Sequence, residues 1–163
     1  YIIKGFLARE LNAAFIGWYF DLVDYVGGKT TVYCYMENNK LQDPFFNQVF
    51  KPLLREESKK RGRELFIKGD ERKKTEKATR IEANLEPIDR NGAWVFNEQE
   101  RDNPHMQELM EQFRLFEMHL PYCADGPDCI EGAVTIIGEK TMEMQPPVTI
   151  SYKELNEDNP YRM

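Results

Sequence analysis

Thr30 to Met36 read Thr-Thr-Val-Tyr-Cys-Tyr-Met, seven residues without a charge, and Glu37-Asn38-Asn39 stops them abruptly. A continuous run of β-branched and aromatic side chains suits a strand covered on both faces, the kind found in parallel sheets. Such a strand needs a layer above it and a layer below it. The rest of the chain must then supply helices, and hydrophobic spacing marks several.

Tyr1 to Leu7 reads as a strand. Asn12 can cap a helix from Ala13 to about Val26, with Phe15, Ile16, Tyr19, Leu22, Val23 and Val26 on one stripe. Gly27-Gly28 ends it. Asp43 can cap a second helix carrying Phe46, Val49, Phe50, Leu53 and Leu54, with Pro52 predicting a kink or a broken start. Glu64 to Ile67 is a short strand. Thr75 opens a third helix with Ala78, Ile81, Leu85 and Ile88 at helical spacing, Asn91-Gly92 is a turn, and Ala93 to Phe96 is another short strand. Asn103-Pro104 starts a helix presenting Met106, Leu109, Met110, Phe113 and Phe116. Asp125-Gly126-Pro127 starts the last one, with Ile130, Ala133, Val134 and Ile137 expected to face the core. Residues 141–163 contain Pro146-Pro147 and read as an extended tail. The alternation of strand and helix is that of an α/β layered fold.

At 163 residues the chain is long enough to bury a core without disulfides or metal staples. No apolar run approaches the ~20 residues that span a bilayer, and the N-terminus does not read as a signal peptide. Cys34, Cys123 and Cys129 are an odd set without a CxxC pair, which fits free thiols in a reducing compartment. His119, Cys123 and Cys129 match no familiar zinc spacing.

The net charge of −6 argues at first against a nucleic-acid binder, yet residues 51–80 hold 12 basic and 6 acidic side chains. Residues 81–163 hold 6 basic and 17 acidic. Within the basic block, Lys73, Lys77 and Arg80 recur along one edge of the third helix, and Lys59, Lys60, Arg61 and Arg63 cluster before the short strand. Solvated helix faces carry such patterns. The functional reading is a ridge facing a phosphate backbone, with little readout of bases.

Glu37 follows the predicted buried strand, and ligands of open α/β sheets bind at the carboxyl ends of strands. Asp125 and Asp128 stand one turn apart at a helix start. With Glu37 they could hold Mg²⁺ or Mn²⁺ through oxygen ligands. Two such ions ~4 Å apart support in-line attack on a phosphodiester. The same residues also make an ordinary helix N-terminus, with Asp125 as cap and Asp128 favoured by the macrodipole. Glu131, a turn further on, could assist, although a glutamate at such a place reads first as a solvated helix residue. GxSxG, HExxH and a GxGxxG after a strand are all lacking.

Four pieces occur in order: Met36-Glu37-Asn38-Asn39; Lys74, Lys77 and Arg80-Ile81-Glu82 followed by Leu85, Pro87 and Ile88; Gly92 with Val95-Phe96; and Asp125-Gly126-Pro127-Asp128-Cys129-Ile130-Glu131-Gly132-Ala133-Val134. Over residues 1–140 this succession resembles the nuclease domain of phage terminase large subunits. The resemblance implies an RNase H-like mixed sheet flanked by helices, close to the RuvC-type resolvases. It implies a Mg²⁺- or Mn²⁺-dependent endonuclease that cuts double-stranded DNA by two-metal hydrolysis during genome packaging. Glu37, Asp125 and Asp128 correspond to its catalytic and metal-binding carboxylates. Ala124 replaces an acidic residue that some terminases carry, which shifts weight to Asp128. Lys74, Lys77 and Arg80 match a basic helix of the family.

The partners implied are double-stranded DNA, the remainder of a large subunit with its ATPase domain, the portal and the small terminase subunit. The setting implied is the cytoplasm of a bacterial host, as a phage or prophage protein, neither secreted nor in a membrane. The family's first catalytic Asp lies on the first strand of a hairpin that would precede Tyr1, and no Asp occurs before Asp21. The expectation is a domain lacking its first strand or strands, with weak or no cleavage alone. A P-loop is also lacking. A RuvC-like resolvase of branched DNA is one alternative. A non-catalytic nucleic-acid- or protein-binding module of the same fold is another.

Overall fold

A computed structural model describes residues 1–37, 43–117 and 123–144. The Asn38-Asn39 segment, His119 and residues 145–163 lie outside the described residues. The elements are α1 (Asn12–Val26), β1 (Cys34–Glu37), α2 (Asp43–Phe45), α3 (Lys51–Arg61), β2 (Ile67–Asp70), α4 (Lys77–Arg90), α5 (Pro104–Leu115) and α6 (Asp125–Met144). A π-helical turn, Phe46–Phe50, joins α2 to α3, and a 3₁₀ turn, Glu98–Glu100, precedes α5. The result is a helix-rich α/β arrangement around one small parallel sheet.

β1 and β2 pair in parallel, Cys34 opposite Ile67 and Glu37 opposite Asp70. The ladder is shorter than the run from Thr30 predicts, and its two faces are covered unequally. Val32, Cys34 and Met36 pack into a core with Ile16 and Phe20 of α1, Phe46, Phe50 and Ile67. Tyr33 on the other face is 54% exposed. Asp70, opposite Glu37 on that same face, is 9% exposed, so the face is covered at the end of β2 and open at Tyr33. The second strand lies at Ile67–Asp70 rather than Glu64 to Ile67.

Tyr1 to Leu7 forms no strand. Among the described residues it contributes one parallel bridge, Ile2 to Phe96, in which Ile2 N donates to Val95 O (2.8 Å) and Asn97 N donates to Ile2 O (3.0 Å). The strand expected at Ala93 to Phe96 is reduced to that same bridge. A second cluster gathers there, with Ile2, Met106 and Leu109 buried among Trp94, Phe96, Phe113 and Ile130.

Helix ends follow local chemistry with some displacements. Asn12 sits inside α1, and Leu11 occupies the cap position without a side-chain bond. Gly27 takes the left-handed conformation that closes α1 (φ 60°). Pro52 lacks the N–H that would reach Gln48, and the turn before it loosens so that Lys51 N donates to Phe46 O, five residues back. Glu76, rather than Thr75, caps α4, accepting from Ala78 N (3.0 Å) and Thr79 N (2.7 Å). Asn103 caps α5 through His105 N, as its Asn-Pro signal predicts.

In α6, Ala133 is exposed and Ile137 is 63% exposed, which corrects the expected core face. Gly126, Pro127, Glu131 and Gly132 are the buried positions. The extended reading from residue 141 is also corrected: α6 continues to Met144, where Lys140 pairs with Glu143 (2.5 Å) and the Thr141 hydroxyl donates to Ile137 O (2.8 Å).

Candidate carboxylate and cation site

Glu37 and Asp70 end their strands side by side, so the parallel register sets two carboxylates at the same sheet edge. Asp70 is 9% exposed and bidentate with Arg72, Nε to Oδ1 and Nη2 to Oδ2 both at 2.8 Å. Lys74 reaches both acids, with Nζ 3.2 Å from Glu37 Oε1 and 3.7 Å from Asp70 Oδ2.

α4 then meets the first turns of α6. Lys77 Nζ lies 2.7 Å from Asp125 Oδ1 and 3.8 Å from Asp128 Oδ2. Arg80 donates through Nη2 to Asp128 and through Nε to Glu131 Oε2 at 2.6 Å. Asn84 Nδ2 (2.8 Å) and the Thr135 hydroxyl (2.9 Å) complete the Glu131 carboxylate. Arg72 ties the sheet edge to α6 by donating to Gly132 O (3.4 Å). Five carboxylates on β1, β2 and α6 thus share four cations, all from the chain leading into or along α4.

The ionisation of the cluster follows these contacts. The Arg72 hydrogen bond, opposed by burial, holds Asp70 below the usual carboxylate range. Lys77 does the same for Asp125. Burial alone would raise Glu131, but the bonds from Arg80, Asn84 and Thr135 outweigh it and the net shift is downward. The Cys129 thiol is pushed up, first by desolvation of its sulfur and then by Asp128 and Glu37, with Lys74 acting the other way.

The residues singled out from sequence therefore separate into two groups. Glu37, Asp125, Asp128, Lys74, Lys77 and Arg80 come together, with the cations facing the carboxylates instead of forming an outward ridge. Arg61, Arg63 and Lys60 belong elsewhere. Arg61 bridges Glu57 (2.6 Å) and Asp21 (2.6 Å), Arg63 pairs with Asp24 (2.8 Å), and Lys60 pairs with Glu57 (3.4 Å). Both guanidinium groups also stand 5.4 Å from the Phe20 ring, so they join the end of α3 and the residues just after it to α1. Lys59 and Lys73 are exposed and make no ion pair among the described residues.

Sequence reasoning missed Asp70, Arg72 and the role of Glu131. Lys68 and Gly69 separate Asp70 from Phe66-Ile67, so Asp70 lacks the abrupt strand-end signal that marks Glu37. Glu131 was legible only from its complement, Arg80 and Asn84 four residues apart on another helix.

Hard oxygen donors of this kind suit Mg²⁺ or Mn²⁺. Among the described residues, however, no three His, Cys, Asp or Glu side chains close around one cation position. Among the described residues the thiols offer no alternative set: Cys34 lies in the core, and the Cys123 thiol donates to Asp125 Oδ2 (3.5 Å). No described helix is long and apolar enough to cross a membrane. Compared with protein-family models, with curated proteins and with solved structures, the chain matches none of them.

Proposed function

We propose that this chain is a metal-dependent endonuclease domain of the phage terminase large-subunit type, with an RNase H-like fold, acting on double-stranded DNA during genome packaging. The observation that supports this reading most is the convergence of its separate motifs. A strand-end Glu37, the basic Lys74, Lys77 and Arg80, and the Asp125/Asp128 pair meet in one network although they are distant in sequence.

In the proposed working state Glu37, Asp125 and Asp128 hold Mg²⁺ or Mn²⁺, two ions in a complete site. Bound there, such ions supply an activated water and offset charge on the leaving oxygen. Lys74 and Lys77, which now neutralise those carboxylates, release them and meet phosphate oxygens instead. Lys73, exposed and next to Lys74 in the chain, adds to that contact. The proposed partners are duplex DNA, an ATPase domain, the portal and the small terminase subunit, in a bacterial host's cytoplasm.

The test is conversion of supercoiled plasmid in Mn²⁺. Slow nicking is expected, and Glu37→Ala, Asp125→Ala and Asp128→Ala should each lower it at least about tenfold. A rate that none of the three changes overturns the assignment. Comparison with a four-way junction separates the terminase type from a resolvase.

One observation favours a second reading, a non-catalytic module of the same fold. The carboxylates are already matched by cations, and no three acids close on one point among the described residues. Calorimetry with Mn²⁺ decides between them, since the module takes up no ion.

A further inference from the structure

On the side of α4 turned away from the ion-pair network, a pocket of about 450 Å³ opens between α4, α5 and the first turn of α6. Its walls are apolar. Leu85, Trp94, Phe113, Phe116 and Pro127 contribute, and the Trp94 and Phe113 rings stand 5.3 Å apart. The volume lies in the range of ligand-binding clefts and admits one or two large side chains. Trp94 Nε1 is buried without a hydrogen-bond partner. Buried donors are nearly always satisfied, so this indole is an unmet polar group behind the apolar surface.

Four carboxylates surround the opening: Glu82, Glu86, Asp89 and Glu117, all exposed. Only Glu86 has an ion-pair partner among the described residues, Arg90 at 3.3 Å. No Lys or Arg is among the described lining residues. The rim therefore presents unneutralised negative charge around an aromatic floor. Nucleic acid is repelled from such a surface. A cationic partner with an apolar anchor is complementary to it.

We propose that this pocket binds a short basic segment of a partner protein, seating one aromatic or large aliphatic side chain between Trp94, Phe113 and Phe116 while flanking Lys or Arg residues pair with the rim. Pro127 lies between Gly126 and Asp128 in the first turn of α6, so an occupant in the pocket also presses on the helix start that carries Asp125 and Asp128. The proposal does not depend on the nuclease reading, because its contacts and its test involve none of the network residues.

The probe is a synthetic six-residue peptide with one central Phe between Lys and Arg residues, titrated against the Trp18→Phe variant so that emission reports Trp94 alone. Saturable quenching or a spectral shift is expected. Two controls define the claim: a peptide with Glu in place of every basic residue, and one with Ser in place of Phe. Both should bind at least about tenfold more weakly, and so should the Glu82→Lys/Glu117→Lys variant, whose exposed positions leave folding intact. Equal binding of the acidic peptide, or no effect of the rim substitutions, overturns the proposal. So does binding of phenethylammonium as tightly as the peptide, which would make the pocket a small-cation site.

Discussion

Glu131 shows how far a residue's role can depart from its sequence surroundings. It is 2% exposed, with Arg80, Asn84 and Thr135 around it. Removing one member of a buried ion pair leaves the other uncompensated. Glu131→Ala is expected to cost about 3 kcal/mol in denaturant unfolding, because Arg80 is left with Asp128 as its one carboxylate. Glu131→Gln keeps the shape and one acceptor and should cost less. A loss below about 1 kcal/mol for the alanine variant would show that Asp128 alone satisfies the guanidinium.

At the scale of elements, the α5–α6 junction depends on the smallest residue available. Gly126 N donates to Gln112 Oε1 (2.9 Å), a buried bond that fixes the start of α6 against α5. A Cβ at this position would stand 2.5 Å from Leu109 Cδ1 and 3.1 Å from Gln112 Oε1. Gly126→Ala should therefore force α6 outward and destabilise by about 1–3 kcal/mol, measured by urea unfolding. Loss of the Gln112 bond would accompany the shift, visible as faster amide exchange at Gly126. An unchanged midpoint would mean that Leu109 repacks at no cost.

Across the whole molecule, two apolar clusters flank an ion-pair network, and the network makes stability depend on pH. Asp70, Asp125 and Glu131 are held below their ordinary values, and the Thr79 and Ala78 amides hold Glu76 down to about 2. A carboxyl whose folded value lies below its unfolded one contributes fully above the unfolded value. That contribution is lost as pH falls through the folded value. The unfolded values are near 3.8 for Asp and 4.5 for Glu. Tm should thus stay level from neutral pH to about 5 and drop steadily from there toward pH 2. Differential scanning calorimetry across that range checks it, and a Tm that rises on acidification would contradict the network's role.

Local chemistry was enough to place most helices. The Asn-Pro start of α5, the Gly-Gly end of α1 and the Asp-Gly-Pro start of α6 are decided within a few residues, and so they are legible in sequence. The six motif residues that converge were also visible there: Glu37, Lys74, Lys77, Arg80, Asp125 and Asp128. Tertiary structure alone decided how they face. The run at Thr30 to Met36 is equally compatible with one covered face or two, since hydrophobicity does not count the strands beside it. Asp70 became part of the site because parallel pairing set it opposite Glu37. Lys77 and Arg80 turned inward because α6 brought Asp125, Asp128 and Glu131 within hydrogen-bonding distance, 45 to 54 residues away along the chain. Charge is a local property of the chain, but which charges meet depends on packing between elements that no local pattern encodes.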